Sequence, residues 1–192
     1  KYFVSLSILL LITLSSHASN LQPAMWKVEH QGVTSYILGS IHIGKSDWYP
    51  LPSYITNAFN ESDALVVELD AIANSAAMTS QMMLPAGQTL QNNLSPQVFK
   101  KLDEYLTKNG MPLAAFTQFK PWAVATVVAV IPYLKAGLDP TFGIDSQLIT
   151  HAKNKNKNMA LIELETAQFQ INLLSGLFSD EKMLIELMEL PD

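Results

Sequence analysis

Three short apolar runs limit what this 192-residue chain can fold into. Residues 34–43, 64–70 and 159–165 are apolar and rich in Val, Ile and Leu, and stretches with helical spacing separate them. A strand–helix–strand order requires a crossover and at least a partly parallel sheet. Residues 24–33 alternate in polarity and meet the first run across Gln31-Gly32, a hairpin signal. The expected fold is α/β, with α+β as the alternative. It has a mixed, partly parallel sheet, an N-terminal hairpin and helices around them.

The helical stretches carry their own punctuation. Residues 52–60 place Tyr54, Ile55 and Phe59 near helical spacing, and Ser62-Asp63 ends them. Ser95 followed by Pro96 opens a helix whose stripe is Val98, Phe99, Leu102 and Leu106, and Asn109-Gly110 closes it. Pro121 starts a helix over 122–136 that is apolar nearly all round. A buried core helix is the reading there; a membrane span, the alternative, needs about 20 residues, and Pro132 interrupts this run. Residues 146–153 predict another helix, and 168–190 two amphipathic ones.

Composition excludes several chemistries. With 48% hydrophobic residues the chain has ample material for a core, and length predicts one domain. There is no cysteine, so disulfides, thiol catalysis and cysteine-held metals are ruled out. All 12 basic residues are lysine, which removes the planar guanidinium clamp for phosphate. A net charge of −5 gives no footprint for nucleic acid, and the run Lys153, Lys155, Lys157 reads as a solvated loop. Residues 1–18 read as a secretory signal cut after Ala18, leaving a domain over 19–192 that is periplasmic or secreted, with no stable membrane span. An uncleaved anchor is the alternative.

Each of the three runs ends in a group able to bind a ligand: His42, Glu68 and Glu165. In strand parity His42 shares a face with Tyr36, Leu38 and Ser40. Glu68 shares one with Ala64 and Val66, and Glu165 one with Glu163. Carboxylates gathered at one edge need a cation or one another. One imidazole with two or three carboxylates suits a divalent ion such as Mn²⁺, Co²⁺ or Zn²⁺. The alternatives are plain: His42 as a hydrogen-bonded bystander, Glu68 or Asp70 as caps of the following helix, and Glu163 and Glu165 as solvated loop residues. Gly39 and Gly44 bracket the first run and let backbone or ligand approach, so Gly39 and Ser40 are candidate substrate contacts. Trp48 and Tyr49, beside His42, form a candidate ligand wall; ordinary surface packing is the other reading.

Trp26-x-Val28, Tyr36-x-x-Gly39-Ser40-Ile41-His42-Ile43-Gly44, Tyr49-Pro50-Leu51-Pro52 and Ser62-Asp63-Ala64-Leu65-Val66-Val67-Glu68-Leu69-Asp70 closely resemble the TraB/GumN family. Gly143-Ile144-Asp145, Leu164-Glu165-Thr166 and Gln168 extend the resemblance over most of the chain. This family includes the TraB and PrgY pheromone-shutdown proteins and is similar to the TIKI metalloproteases. The resemblance implies that His42 is the histidine of a Gly-x-x-His motif and that Glu68 is a strand-ending glutamate. It places Asp145 and Glu165 in the active cleft, as a further ligand or general base. It also implies Mn²⁺- or Co²⁺-dependent peptidase chemistry on a peptide or small-molecule substrate. The family pattern includes a second Gly-x-x-His motif; none is present here, since Leu148-Ile149-Thr150 precedes His151, and a C-terminally incomplete domain is expected. A non-catalytic exported protein that sequesters peptides is the competing function.

Overall fold

A computed structural model describes residues 22–154 and 159–190. The expected signal at 1–18, and Lys155 and Lys157, lie outside the described residues. The chain begins with an antiparallel hairpin, β1 (Met25–His30) and β2 (Val33–Leu38), in register Met25↔Leu38 to His30↔Val33. Its turn is Gln31-Gly32, with φ of 49° and 80°; two positive φ values make the tight hairpin turn that matches strand twist. Helix α1 (Ser53–Glu61) follows, then β3 (Ala64–Val67), and later β4 (Ala160–Glu163). Strands β3 and β4 pair in parallel, with Val67 opposite Glu163.

The fold is mixed and helix-rich, as the order of elements implies. Its described strands form two separate two-stranded ribbons, not one sheet. They are also shorter than the apolar runs. Strand β2 stops at Leu38 because its partner starts at Met25; after Gly39 N–H reaches the Ala24 carbonyl at 2.8 Å, no further β1 residue lies opposite. His42 therefore sits on a loop, not on the strand's face.

The helices are α2 (Ser75–Met82), α3 (Pro96–Lys108), α4 (Pro121–Lys135), α5 (Ile144–Asn154), α6 (Ala167–Leu177) and α7 (Glu181–Glu189). Helix α3 starts as its residues dictate: the Ser95 hydroxyl accepts from Val98 N–H and Pro96 occupies the first turn. Leu102 and Leu106 of α3 and Val124, Val128 and Ile131 of α4 are almost fully buried in the main core, joined by Leu184 of α7. Helix α4 is thus buried, and among the described residues no helix is long and apolar enough to cross a membrane.

A smaller core matters more for the site. Leu51, Ile55 of α1 and Ile144 of α5 pack together, with Met25, Leu38, Tyr49 and Leu148 against them. Burying each such side chain contributes roughly 1.5–3 kcal/mol, enough to hold the hairpin, α1 and the start of α5 as one body. Lys153 is a residue of α5, not of a loop.

Candidate active site

Main-chain contacts deliver His42. Gly44 and Asp139 exchange hydrogen bonds, Gly44 N–H to the Asp139 carbonyl at 3.0 Å and Asp139 N–H to the Gly44 carbonyl at 2.8 Å. Ile144 N–H reaches the Ile41 carbonyl at 2.9 Å. These bonds flank His42 on both sides and run its loop along the lead-in to α5. The approach is so close that a Cβ on Gly143 would overlap the His42 carbonyl, and one on Gly44 would overlap the Phe142 carbonyl and the Trp48 ring. Glycine is required at both places for space.

The first turn of α5 then presents Asp145 to the imidazole. His42 Nδ1 lies 2.7 Å from Asp145 Oδ2, and Ser40 Oγ donates to Asp145 Oδ1 at 2.5 Å. A carboxylate at a helix N-terminus is favoured by the backbone dipoles. The hydrogen bond that His42 donates to Asp145 raises the His42 pKa, against burial that lowers it, and the Asp145 and Glu68 charges raise it further. Burial pushes the Asp145 carboxyl up, but the His42 and Ser40 hydrogen bonds outweigh it and hold the carboxyl below its usual value. Both Asp145 oxygens are engaged. That makes Asp145 an orienting partner that fixes the ring and its tautomer.

The other ring nitrogen faces Glu68. His42 Nε2 is 3.9 Å from Glu68 Oε2. Glu68 follows β3 directly, well before α2 begins at Ser75, so it caps no helix. Strict alternation with Val67 opposite Glu163 would send Glu68 and Glu165 to opposite faces, yet both lie past the last ladder pair. Glu165 N–H donates to the Glu68 carbonyl at 2.9 Å. Gln170, in the first turn of α6, places Nε2 3.5 Å from Glu68 Oε2 and 3.3 Å from Glu165 Oε2. Thr166 caps that helix by accepting from Phe169 N–H, which sets the direction of α6. His42, Asp145, Ser40, Glu68 and Glu165 thus belong to one constellation. Gln170 is the member that sequence reasoning omitted; its place one turn beyond Leu164-Glu165-Thr166 was the available signal.

The expected substrate contacts fare differently. Gly39 spends its N–H on the hairpin and Ser40 its hydroxyl on Asp145. The Trp48 ring covers Gly44. The Tyr49 hydroxyl donates to the Phe142 carbonyl at 2.8 Å, and burial pushes its pKa up to about 12. Tyr49 also walls a cavity of about 270 Å³ between α1 and α5, together with Leu51, Phe59, Leu148 and His151.

Among the described residues no three His, Asp or Glu side chains form a ready cage for an ion. The donor chemistry nonetheless fits one. Two ligands about 2.1 Å from a tetrahedral ion stand about 3.4 Å apart, close to the 3.9 Å between His42 Nε2 and Glu68 Oε2. Glu165, tied to Glu68 through the Gln170 amide, could supply a second oxygen donor or a general base. A carboxylate on Nδ1 is the usual support of a histidine that ligates through Nε2.

A profile of the TraB/PrgY/gumN family matches residues 24–191, from before β1 to beyond α7. The chain belongs to this family. The match takes in every member of the constellation from Ser40 to Gln170. Among relatives within reach of this TraB/PrgY/gumN chain, the uncharacterized protein YbaP of Shigella flexneri is 34% identical over 140 residues, 73% of this chain and 51% of that protein. An uncharacterized protein of Treponema pallidum is 27% identical over 170 residues, 84% of this chain and 49% of that protein. Metalloprotease TIKI1 of Xenopus tropicalis is 31% identical over 96 residues, 48% of this chain and 19% of that protein. The chain spans about half the length of the first of these relatives. No solved structure matches it.

Proposed function

We propose that this chain carries the site of an exported, metal-dependent hydrolase that acts on peptides. The observation behind this reading is the imidazole held between two kinds of carboxylate: Asp145 on Nδ1 and Glu68 facing Nε2. The similarity to Metalloprotease TIKI1 over part of the chain supports peptide substrates. Export rests on the signal pattern of residues 1–18 and makes the location periplasmic or secreted.

In this reading His42 Nε2 and Glu68 would hold a divalent ion, Mn²⁺, Co²⁺ or Zn²⁺, and Glu165 stands beside them as the general base. When bound, such an ion lowers the pKa of a coordinated water and polarises a carbonyl. Asp145 keeps the Nδ1 proton in place so that Nε2 presents its lone pair. Ser40 holds Asp145 in that orientation. Glu165, steadied by Gln170, takes the proton from the attacking water and returns it to the leaving amine.

The test pairs metal content with cleavage. Wild-type protein, His42→Ala and Glu68→Gln are loaded with Mn²⁺, Co²⁺ or Zn²⁺, desalted and examined by elemental analysis. Each is then incubated with a peptide library with and without EDTA. The expected result is stoichiometric metal and EDTA-sensitive cleavage in the wild type alone. Equal, negligible metal in all three proteins would defeat the reading. Peptides retained intact with an affinity that EDTA leaves unchanged would assign the alternative, a sequestering protein.

A further inference from the structure

Beside the site lies a polar cluster that the proposed chemistry does not use. Asp70 is the buried polar residue of the described chain, with 4% of its surface exposed. Its Oδ2 meets Lys153 Nζ at 2.5 Å, and its Oδ1 accepts from Ala73 N–H at 3.0 Å. Glu163 Oε1 accepts from Asp70 N–H at 2.7 Å and from Asn74 Nδ2 at 3.1 Å. The same Asn74 amide donates to the Asp70 carbonyl at 3.0 Å. A carboxylate taken out of water is tolerated only with partners of this kind.

The arrangement of these partners matters more than their number. Asp70 lies just past Glu68, and Glu163 just before Glu165. Lys153 is in the last turn of α5, whose first turn carries Asp145. Two turns of helix, about 12 Å at 1.5 Å per residue, therefore connect the residue that orients the imidazole to the residue that grips the acidic segment. The hairpin and loop supply His42 from one side, and β3 and β4 supply the acids from the other. Among the side-chain contacts described, the Lys153–Asp70 pair joins α5 to the segment after β3.

We infer that the Asp70–Lys153 pair, backed by Glu163 and Asn74, is a positioning clasp that sets Glu68 against His42. The four are positioning residues; none touches the reacting atoms. The inference rests on His42 and Glu68 forming one site, and not on the metal or on hydrolysis.

The absence of cysteine from the chain gives a direct proximity assay. A His42→Cys/Glu68→Cys parent is treated with a short bifunctional thiol reagent, and the rate of intramolecular cross-linking is measured by mass spectrometry. Adding Asp70→Asn/Lys153→Met removes the pair without changing net charge. The cross-linking rate is expected to fall about tenfold, as when an intramolecular encounter loses its preset geometry. Lys153→Arg is expected to keep the parent's rate. A folded Asp70→Asn/Lys153→Met protein that cross-links as fast as the parent overturns the clasp. Failure of the parent itself to cross-link overturns the site and the clasp together, whereas a protein that binds no metal yet shows the expected rates leaves the clasp standing. Should the double replacement not fold, Lys153→Met alone in the otherwise native chain is read by amide hydrogen exchange. Faster exchange at Glu165 N–H with unchanged exchange at Leu102 and Val128 supports the clasp; uniform or absent change overturns it.

Discussion

Replacing Asp145 with Asn is the sharpest perturbation of this site, because it preserves shape and changes one property. The carboxylate accepts from His42 Nδ1 at 2.7 Å and from Ser40 Oγ at 2.5 Å. An amide still offers one oxygen, which one of the two donors must forgo. If Ser40 keeps it, the amide N–H₂ faces Nδ1, the imidazole proton moves to Nε2, and the lone pair toward Glu68 is lost. A charge-assisted hydrogen bond contributes about 1.5–3 kcal/mol when shielded. The His42 side chain is 73% exposed, so solvent screening brings the stability loss to about 1 kcal/mol or less. For the proposed metal site the expected loss is larger, about 10–100-fold in metal affinity, as for a supporting carboxylate removed from a ligating histidine. The assay is nitrogen-detected NMR of the His42 ring across pH, beside metal titration. The His42 pKa is expected to drop toward its ordinary value of about 6.5, with the neutral ring switching to the Nε2-protonated form. An unchanged pKa and tautomer in Asp145→Asn would refute the assignment of Asp145 as the orienting group.

Two further predictions follow from the same contacts. Because the His42 pKa is raised, its stabilisation is complete below the unfolded value of about 6.5 and fades as pH rises through the higher folded value. Because the Asp145 pKa is lowered, its stabilisation is complete above about 3.9 and fades as pH falls through the lower folded value. Urea midpoints of wild type minus Asp145→Asn should therefore peak between about pH 4 and about pH 6.5, and a flat difference would contradict the pairing. Gly143→Ala should destabilise the protein by about 1–3 kcal/mol through collision with the His42 backbone, since its φ of −59° imposes no conformational cost of its own. Gly176→Ala, with open space around it in α6, should instead gain roughly 0.5–1 kcal/mol, so that equal denaturation midpoints for the two variants would refute the packing argument.

What could be read in the residues was local. Ser95-Pro96 and the Val98, Leu102, Leu106 spacing announce α3, because cap and stripe lie within a few residues of each other. Gln31-Gly32 announces the hairpin for the same reason. The strand lengths were not legible: period-two alternation continues to Ile43, but ladder pairing depends on how long β1 is, and β1 has no residue left for Ser40 or His42. The candidate residues His42, Glu68, Glu165 and Asp145 do come together, yet their parts could not be apportioned in advance. Asp145 approaches His42 across 103 positions of sequence, and which ring nitrogen it takes depends on how α5 packs. Gln170 escaped notice because a neutral amide carries no chemical signature until two acids are seen beside it. Lys153 stands among the lysines and asparagines of a polar run, and only the burial of Asp70 reveals its engagement.

The reciprocal bonding of Gly44 with Asp139 has a consequence for how this protein tolerates change over generations. The imidazole half of the site is anchored by peptide groups that come so close at positions 44 and 143 that only glycine leaves room for them. The acidic half depends on particular side chains at positions 70, 74, 153, 163 and 170. A substitution in the acidic half therefore loosens one contact at a time, whereas any side chain larger than hydrogen at 44 or 143 displaces the whole loop that carries the ring.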